Sequence, residues 1–178
     1  VAVLTLKLHG LENREHHGEA VLARALERLR AMLGEIAYKR GMTWMWHSDS
    51  EARAVAGLAT NPTRAASDAA WVALDTHEAI AGILEDLPFD VGAAIGIVRG
   101  IASGNRDAHG HLVRYQLQHP ATLLADVLGR ETPVHLTWVA GGVYRLIRRE
   151  FRWGDAPTLR IDGGTENHEG FADSVPPT

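Results

Sequence analysis

No cysteine occurs in the 178 residues, so neither a disulfide framework nor a thiolate metal site can be built. That usage fits a reducing compartment, and a cytoplasmic setting is expected. No run of about 18 apolar residues appears, so no membrane-spanning helix is expected. A basic excess is also missing: 18 Lys and Arg stand against 22 Asp and Glu, for a net charge of −4. Little is therefore left for phosphate contacts with a nucleic acid, and none is expected as a partner. No signal peptide, internal repeat or low-complexity block is visible in the pattern. The chain starts at Val1 inside a strand-like pattern, which reads as a piece of a longer protein.

What remains is an ordinary globular composition, 46% apolar and 22% charged, long enough for one domain with a core. The opening VLTLKLHGL alternates. Leu4, Leu6 and Leu8 fall on one strand face, and Val3, Thr5, Lys7 and His9 on the other. A lysine and a histidine on the second face of so apolar a strand suggest a wet face or an edge.

Residues 12 to 41 read as helix, with Leu22, Leu26, Leu29, Leu33 and Ile36 in one stripe and Gly41 as the C-terminal cap. A hairpin follows around His47-Ser48-Asp49-Ser50. Asn61-Pro62 opens a second helix, whose stripe is Ala69, Val72, Ala73, Thr76, Ile80, Ile83 and Leu84. Residues 92 to 118 are expected as one long hairpin, then a helix at 120–128, a strand at 134–139, a helix at 140–150 and a last strand at 158–161. The domain is set at 1–161 and a flexible tail at 162–178. This order predicts an α+β fold: a ferredoxin-like βαββαβ core with C-terminal αβαβ additions.

TWVAGGVYRLIRREFRW at 137–153 resembles the strand and helix near the C-terminus of class III nucleotidyl cyclase domains, where a segment like ILVSEATYRLVRDRFEF occurs. IGIVRG at 95–100 resembles that family's IGIHTG, VLTLKLHGL its VLFADIVGF, and YQLQHPATLLADVL at 115–128 stands where the family has DIWGDTVNLASRL. The pieces occur in matching order along nearly the whole chain. The resemblance implies a site between two subunits, in which two aspartates hold divalent metals that carry the triphosphate. An arginine and an asparagine there stabilise the transition state, and two polar residues read the purine.

On that pattern Lys7 stands at the first metal aspartate and Asp49, after Ser48, at the second. Met45 and Tyr115 take the base-reading positions, Thr122 the asparagine and Asp126 the arginine. Two of these changes reverse charge, and losing one stabilising donor alone typically costs about 10² to 10³ in rate. The expectation is therefore a degenerate domain that is not an enzyme and has no cofactor or metal. It would act as a regulatory or homodimerising module joined to other domains of a signalling protein. Two alternatives stay open: a sensor that binds a nucleotide or other small molecule without turnover, with Met45 and Tyr115 in its lining, and a cyclase active through atypical residues.

Lys7 is expected either to pair with Asp49 or to stand solvated at the strand end. His16-His17, His109 and His111 read as loop histidines, lacking the spacing of a zinc site. His47 and His119 lie beside the former site segments. Trp44 and Trp46 read as core or dimer contact in preference to a stacking site, Arg145, Arg148, Arg149 and Arg152 as a solvated face, and Arg130 as the arginine next after Asp126.

Overall fold

The alternation at the start of the chain sets the two faces of a central sheet. In the computed structural model, which describes residues 1–11, 19–84, 90–110, 112–118, 120–154, 170–172 and 174–175, strand β1 (Ala2–His9) buries Leu4, Leu6 and Leu8 on one face. Thr5, Lys7 and His9 are half-buried on the other.

Helix α1 (Glu19–Tyr38) turns its stripe of Leu22, Leu26, Leu29 and Leu33 inward, and Gly41 at φ +68° turns the chain back. Strands β2 (Met45–Trp46) and β3 (Glu51–Ala56) form the expected hairpin. Asn61 accepts a hydrogen bond from the Thr63 amide at 3.0 Å, capping a 3₁₀ turn (Pro62–Arg64) that leads into α2 (Ala65–Leu84). The small residues Ala69, Val72 and Ala73 let α2 lie close on the sheet. Strand β4 (Gly92–Arg99) is buried along its length up to Arg99. Then come β5 (Ala102–Arg106), β6 (Leu112–Leu117), α3 (Ala121–Glu131), β7 (Thr137–Ala140), α4 (Gly141–Ile147), β8 (Arg152–Trp153), β9 (Gly170–Ala172) and β10 (Ser174–Val175).

The main sheet runs β2-β3-β1-β4-β7-β9, with β1 antiparallel to β3 and β4, and β4 parallel to β7. The run β2-β3-β1-β4 is the strand order of a ferredoxin-like unit, so the expected α+β class holds. Helices α1, α2 and α4 pack on the Leu4–Leu6–Leu8 face, forming the larger core. Helix α3 covers the opposite face with Ala121, Ala125 and Leu128, against Val3, Val98 and Trp138. Trp44 and Met42 are core, as expected, and Trp46 is half-buried beneath the Arg30 guanidinium, 4.6 Å from its ring centre.

One expected element needs correction. Residues 92–118 do not form one hairpin: β5 and β6 pair with each other as a separate two-stranded sheet. Both edges of β4 are already taken, by β1 and β7, so no ladder is open to β6. The expected strand at 158–161 lies outside the described residues. From the stretch expected as a flexible tail, 170–172 pair with β7 and 174–175 with β8.

Helix α3 sits unusually near the sheet, and glycine permits it. A Cβ on Gly96 of β4 would fall 2.6 Å from the Gly129 amide nitrogen, and one on Gly129 would fall 2.7 Å from Thr5 Cγ2. This seat fixes where α3 holds Thr122, Asp126 and Arg130.

Candidate functional site

Strand register carries four side chains to the α3 face. Lys7 lies opposite Glu51, and Thr5 opposite Arg53. The Lys7 ammonium stands 4.0 Å from the Glu51 carboxylate, and with Thr5, Asp126, Gly129 and Arg130 they line a cavity of about 270 Å³. Asp49 sits in the β2–β3 turn, where Arg30 of α1 donates to its carboxylate and to the Ser48 carbonyl, both at 3.1 Å. Ser48 Oγ accepts from the amides of Ser50 and Glu51, which fixes the turn.

A second, more open groove of about 690 Å³ lies beside the cavity, lined by Met45, Arg53, Arg114, Tyr115, Gln116, Leu117 and Thr122. Here the two expected base-reading positions meet: the Tyr115 hydroxyl donates to Met45 Sδ at 3.7 Å. Burial pushes the Tyr115 phenol up from its ordinary value, while the nearby Arg53 guanidinium pulls the other way. Arg53 also donates to Asp126 at 2.5 Å, joining the groove to the cavity.

The structure thus brings together Met45, Tyr115 and Thr122 in one groove, and Lys7, Asp126 and Arg130 in the adjoining cavity. Asp49 is held on the α1 side through Arg30. Of the two expectations for Lys7, neither the solvated lysine nor a pairing with Asp49 describes the contact seen, because register puts Glu51 directly opposite it. The amide of His47 donates to the Glu51 carbonyl, and that of His109 to Asp107, so both histidines lie in turns. His16, His17, His111 and His119 lie outside the described residues. The residue that sequence reasoning missed is Arg53. Alternation along β3 puts it on the face of Thr5 and Lys7, and that was the available signal.

The divalent metals that this site type implies do not fit the residues present. An ammonium stands at one aspartate position, and the other aspartate is engaged by a guanidinium. Among the described residues no group of three or more His, Asp or Glu is placed to hold a metal ion.

No family model matches the sequence, nor does any curated protein. Solved structures do match by fold. Adenylyl cyclase CyaB from P. aeruginosa superposes with a TM-score of 0.78 at 14% identity, over 98% of this chain and 94% of its own. The guanylate cyclase domain of RhGC from Catenaria anguillulae, solved with GTP, gives 0.74 at 13% identity, over 97% and 95%. A dimeric guanylyl cyclase domain of the RhoGC fusion protein from Blastocladiella emersonii gives 0.75 at 13%, over 96% and 93%. The chain has the fold of class III nucleotidyl cyclase catalytic domains along nearly its whole length.

This corrects the expectation that the chain is not an enzyme, since the domains sharing its fold are adenylyl and guanylyl cyclases. The physical reason is local. Asp126 reverses the charge expected at the arginine position, yet Arg53 of β3 donates to its carboxylate, so a guanidinium still borders the site. No helix among the described residues is long and apolar enough to cross a membrane.

Proposed function

We propose that the chain is a nucleotidyl-cyclase-type domain that takes a purine nucleoside triphosphate in the groove between β3, β6 and α3, using atypical site residues. It works as a homodimer in a larger cytoplasmic signalling protein. One observation carries the reading. Met45 and Tyr115, 70 residues apart, correspond by motif to the two base-reading positions and are in contact at the groove wall. The groove's size suits a nucleotide-sized ligand. A thioether and a partly buried phenol offer an apolar, polarizable surface to a planar base, with one hydroxyl to orient it. Dimerisation is supported by the dimeric domain that shares this fold.

The test is calorimetric titration with ATP, GTP and CTP, with cyclic nucleotide production measured at protein concentrations that populate a dimer. Binding of a purine triphosphate in preference to CTP, lost on Tyr115→Ala, is the expected result. No binding, or equal binding of all three, refutes it. A second reading, a regulatory dimerisation module, is favoured by the internal pairing of Lys7 with Glu51 and Arg53 with Asp126. On that reading dimer formation is independent of nucleotide.

A further inference from the structure

Four cations border the cavity and the groove: Arg114 lines the groove, and the other three each meet an acid of their own chain. Lys7 lies 4.0 Å from Glu51, Arg53 lies 2.5 Å from Asp126 and Arg130 lies 3.8 Å from Glu131. The site is close to neutral as it stands, although it presents enough positive charge for a polyphosphate. Among the three, Arg53 is distinct. Its side chain is 19% exposed, against 33% for Lys7 and 63% for Arg130. Its Nε is buried with no hydrogen-bond partner, although a guanidinium carries five donors. The residue lines the groove, and a planar guanidinium held in this way is suited to paired recognition of an oxyanion through its Nη atoms. Asp126 is its opposite: 49% exposed, on the rim between cavity and groove, and able to turn to water at small cost.

We infer that Arg53 is the phosphate-binding residue of this groove, and that Asp126 is a built-in competitor whose carboxylate holds the guanidinium until a phosphate oxygen displaces it. The inference rests on the reading of the groove as a nucleotide site and deepens it. It replaces divalent metal with a side-chain cation as the holder of the phosphates, in keeping with the poor fit of the site to a metal. An exchange of this kind has a direction: removing the carboxylate's charge strengthens phosphate binding, whereas removing the guanidinium weakens it. In the cyclase pattern the arginine belongs on α3, and here a guanidinium borders the site from strand β3.

The experiment is calorimetric titration of the full chain with adenosine, ATP and inorganic tripolyphosphate, each in EDTA and in excess Mg²⁺. The proteins are wild type, Asp126→Asn, Arg53→Met and the exchanged pair Arg53→Asp with Asp126→Arg. Charge-assisted hydrogen bonds of this type are worth about ten-fold or more in affinity. ATP and tripolyphosphate should bind Asp126→Asn about ten-fold more tightly than wild type, and Arg53→Met about ten-fold more weakly. The exchanged pair keeps the ion pair, so it serves as the variant least prone to misfold, and it should bind both ligands more tightly than Arg53→Met does. Adenosine affinity should be the same for all four proteins, and EDTA should change nothing. ATP affinity that is equal across the variants, or that appears only with Mg²⁺, overturns this inference and leaves the groove reading intact. An absence of binding by ATP and adenosine in every protein overturns the groove reading itself.

Discussion

Replacing Gly96 by alanine puts one methyl group into the seat of α3. The new Cβ would lie 2.6 Å from the Gly129 nitrogen and 2.8 and 2.9 Å from Leu128 Cβ and carbonyl carbon. Two of these three atoms are backbone, so a rotamer change cannot relieve them. To regain ordinary contact the helix must retreat by roughly 0.8 Å, giving up dispersion contacts along its length. Overpacking of this kind costs about 1–3 kcal/mol. The opposing gain from a stiffer unfolded chain is about 0.4–1 kcal/mol, so destabilisation wins. With a net cost of about 1–2 kcal/mol, the melting temperature of a domain this size should fall by about 2 to 8 °C, read by circular dichroism. Nucleotide affinity should fall with it, because α3 holds Thr122 in the groove wall. Gly34→Ala is the control: it sits on α1 with nothing within 4 Å of a Cβ. That change should stabilise by up to about 1 kcal/mol. A Gly96→Ala protein that melts within about 1 °C of wild type would refute the close-seat argument.

Two further perturbations probe the other layer. Desolvation first, and then the charge of His135, hold His77 down at about 4, against an ordinary value of 6.5, while a hydrogen bond to the Leu136 carbonyl pulls upward; its Nε2 lies 2.9 Å from Thr137 Oγ1. The unfolded chain takes up that proton near pH 6.5 and the folded chain only near pH 4, so stability falls as pH drops between them, by at most about 3 kcal/mol. Urea denaturation across that range should show the loss in wild type and a flatter profile in His77→Gln. Phe151 packs 5.1 Å from Trp71 and 6.0 Å from Trp153, at 6% exposure, tying the segment after α4 to α2. Phe151→Ala should therefore cost about 3–5 kcal/mol in chemical denaturation, and a loss below about 1 kcal/mol would show that segment to be dispensable.

Much of this architecture is legible from local pattern. Leu4, Leu6 and Leu8 announce the buried face of β1, and the leucine spacing announces the inward stripe of α1. Asn61-Pro62 marks the entry to α2 because side-chain capping and a fixed φ act within a few residues. The meeting of Met45 and Tyr115 followed from motif correspondence, since chain order alone could not bring them together. Partnerships were harder. Arg53 reaches Asp126 across 73 residues, and only because Gly96 and Gly129 let α3 settle against the sheet. Neither glycine signals that contact by itself. Arg30 and Asp49 are likewise joined by the way α1 crosses above the β2–β3 turn, which periodicity does not specify. The misplaced hairpin at 92–118 has a related origin. A glycine-bearing apolar strand and a following turn read locally as a pair, while the true neighbours of β4, namely β1 and β7, are distant in sequence.

On the proposed reading, the groove between β3, β6 and α3 holds a purine nucleotide. Photo-crosslinking with 8-azido-ATP and 8-azido-GTP, followed by peptide mapping, tests it most directly. Label is expected on peptides spanning 45–53 or 112–126, suppressed by excess ATP or GTP and reduced in Tyr115→Ala. Label confined to other segments, or label that the unmodified nucleotide does not suppress, would contradict it.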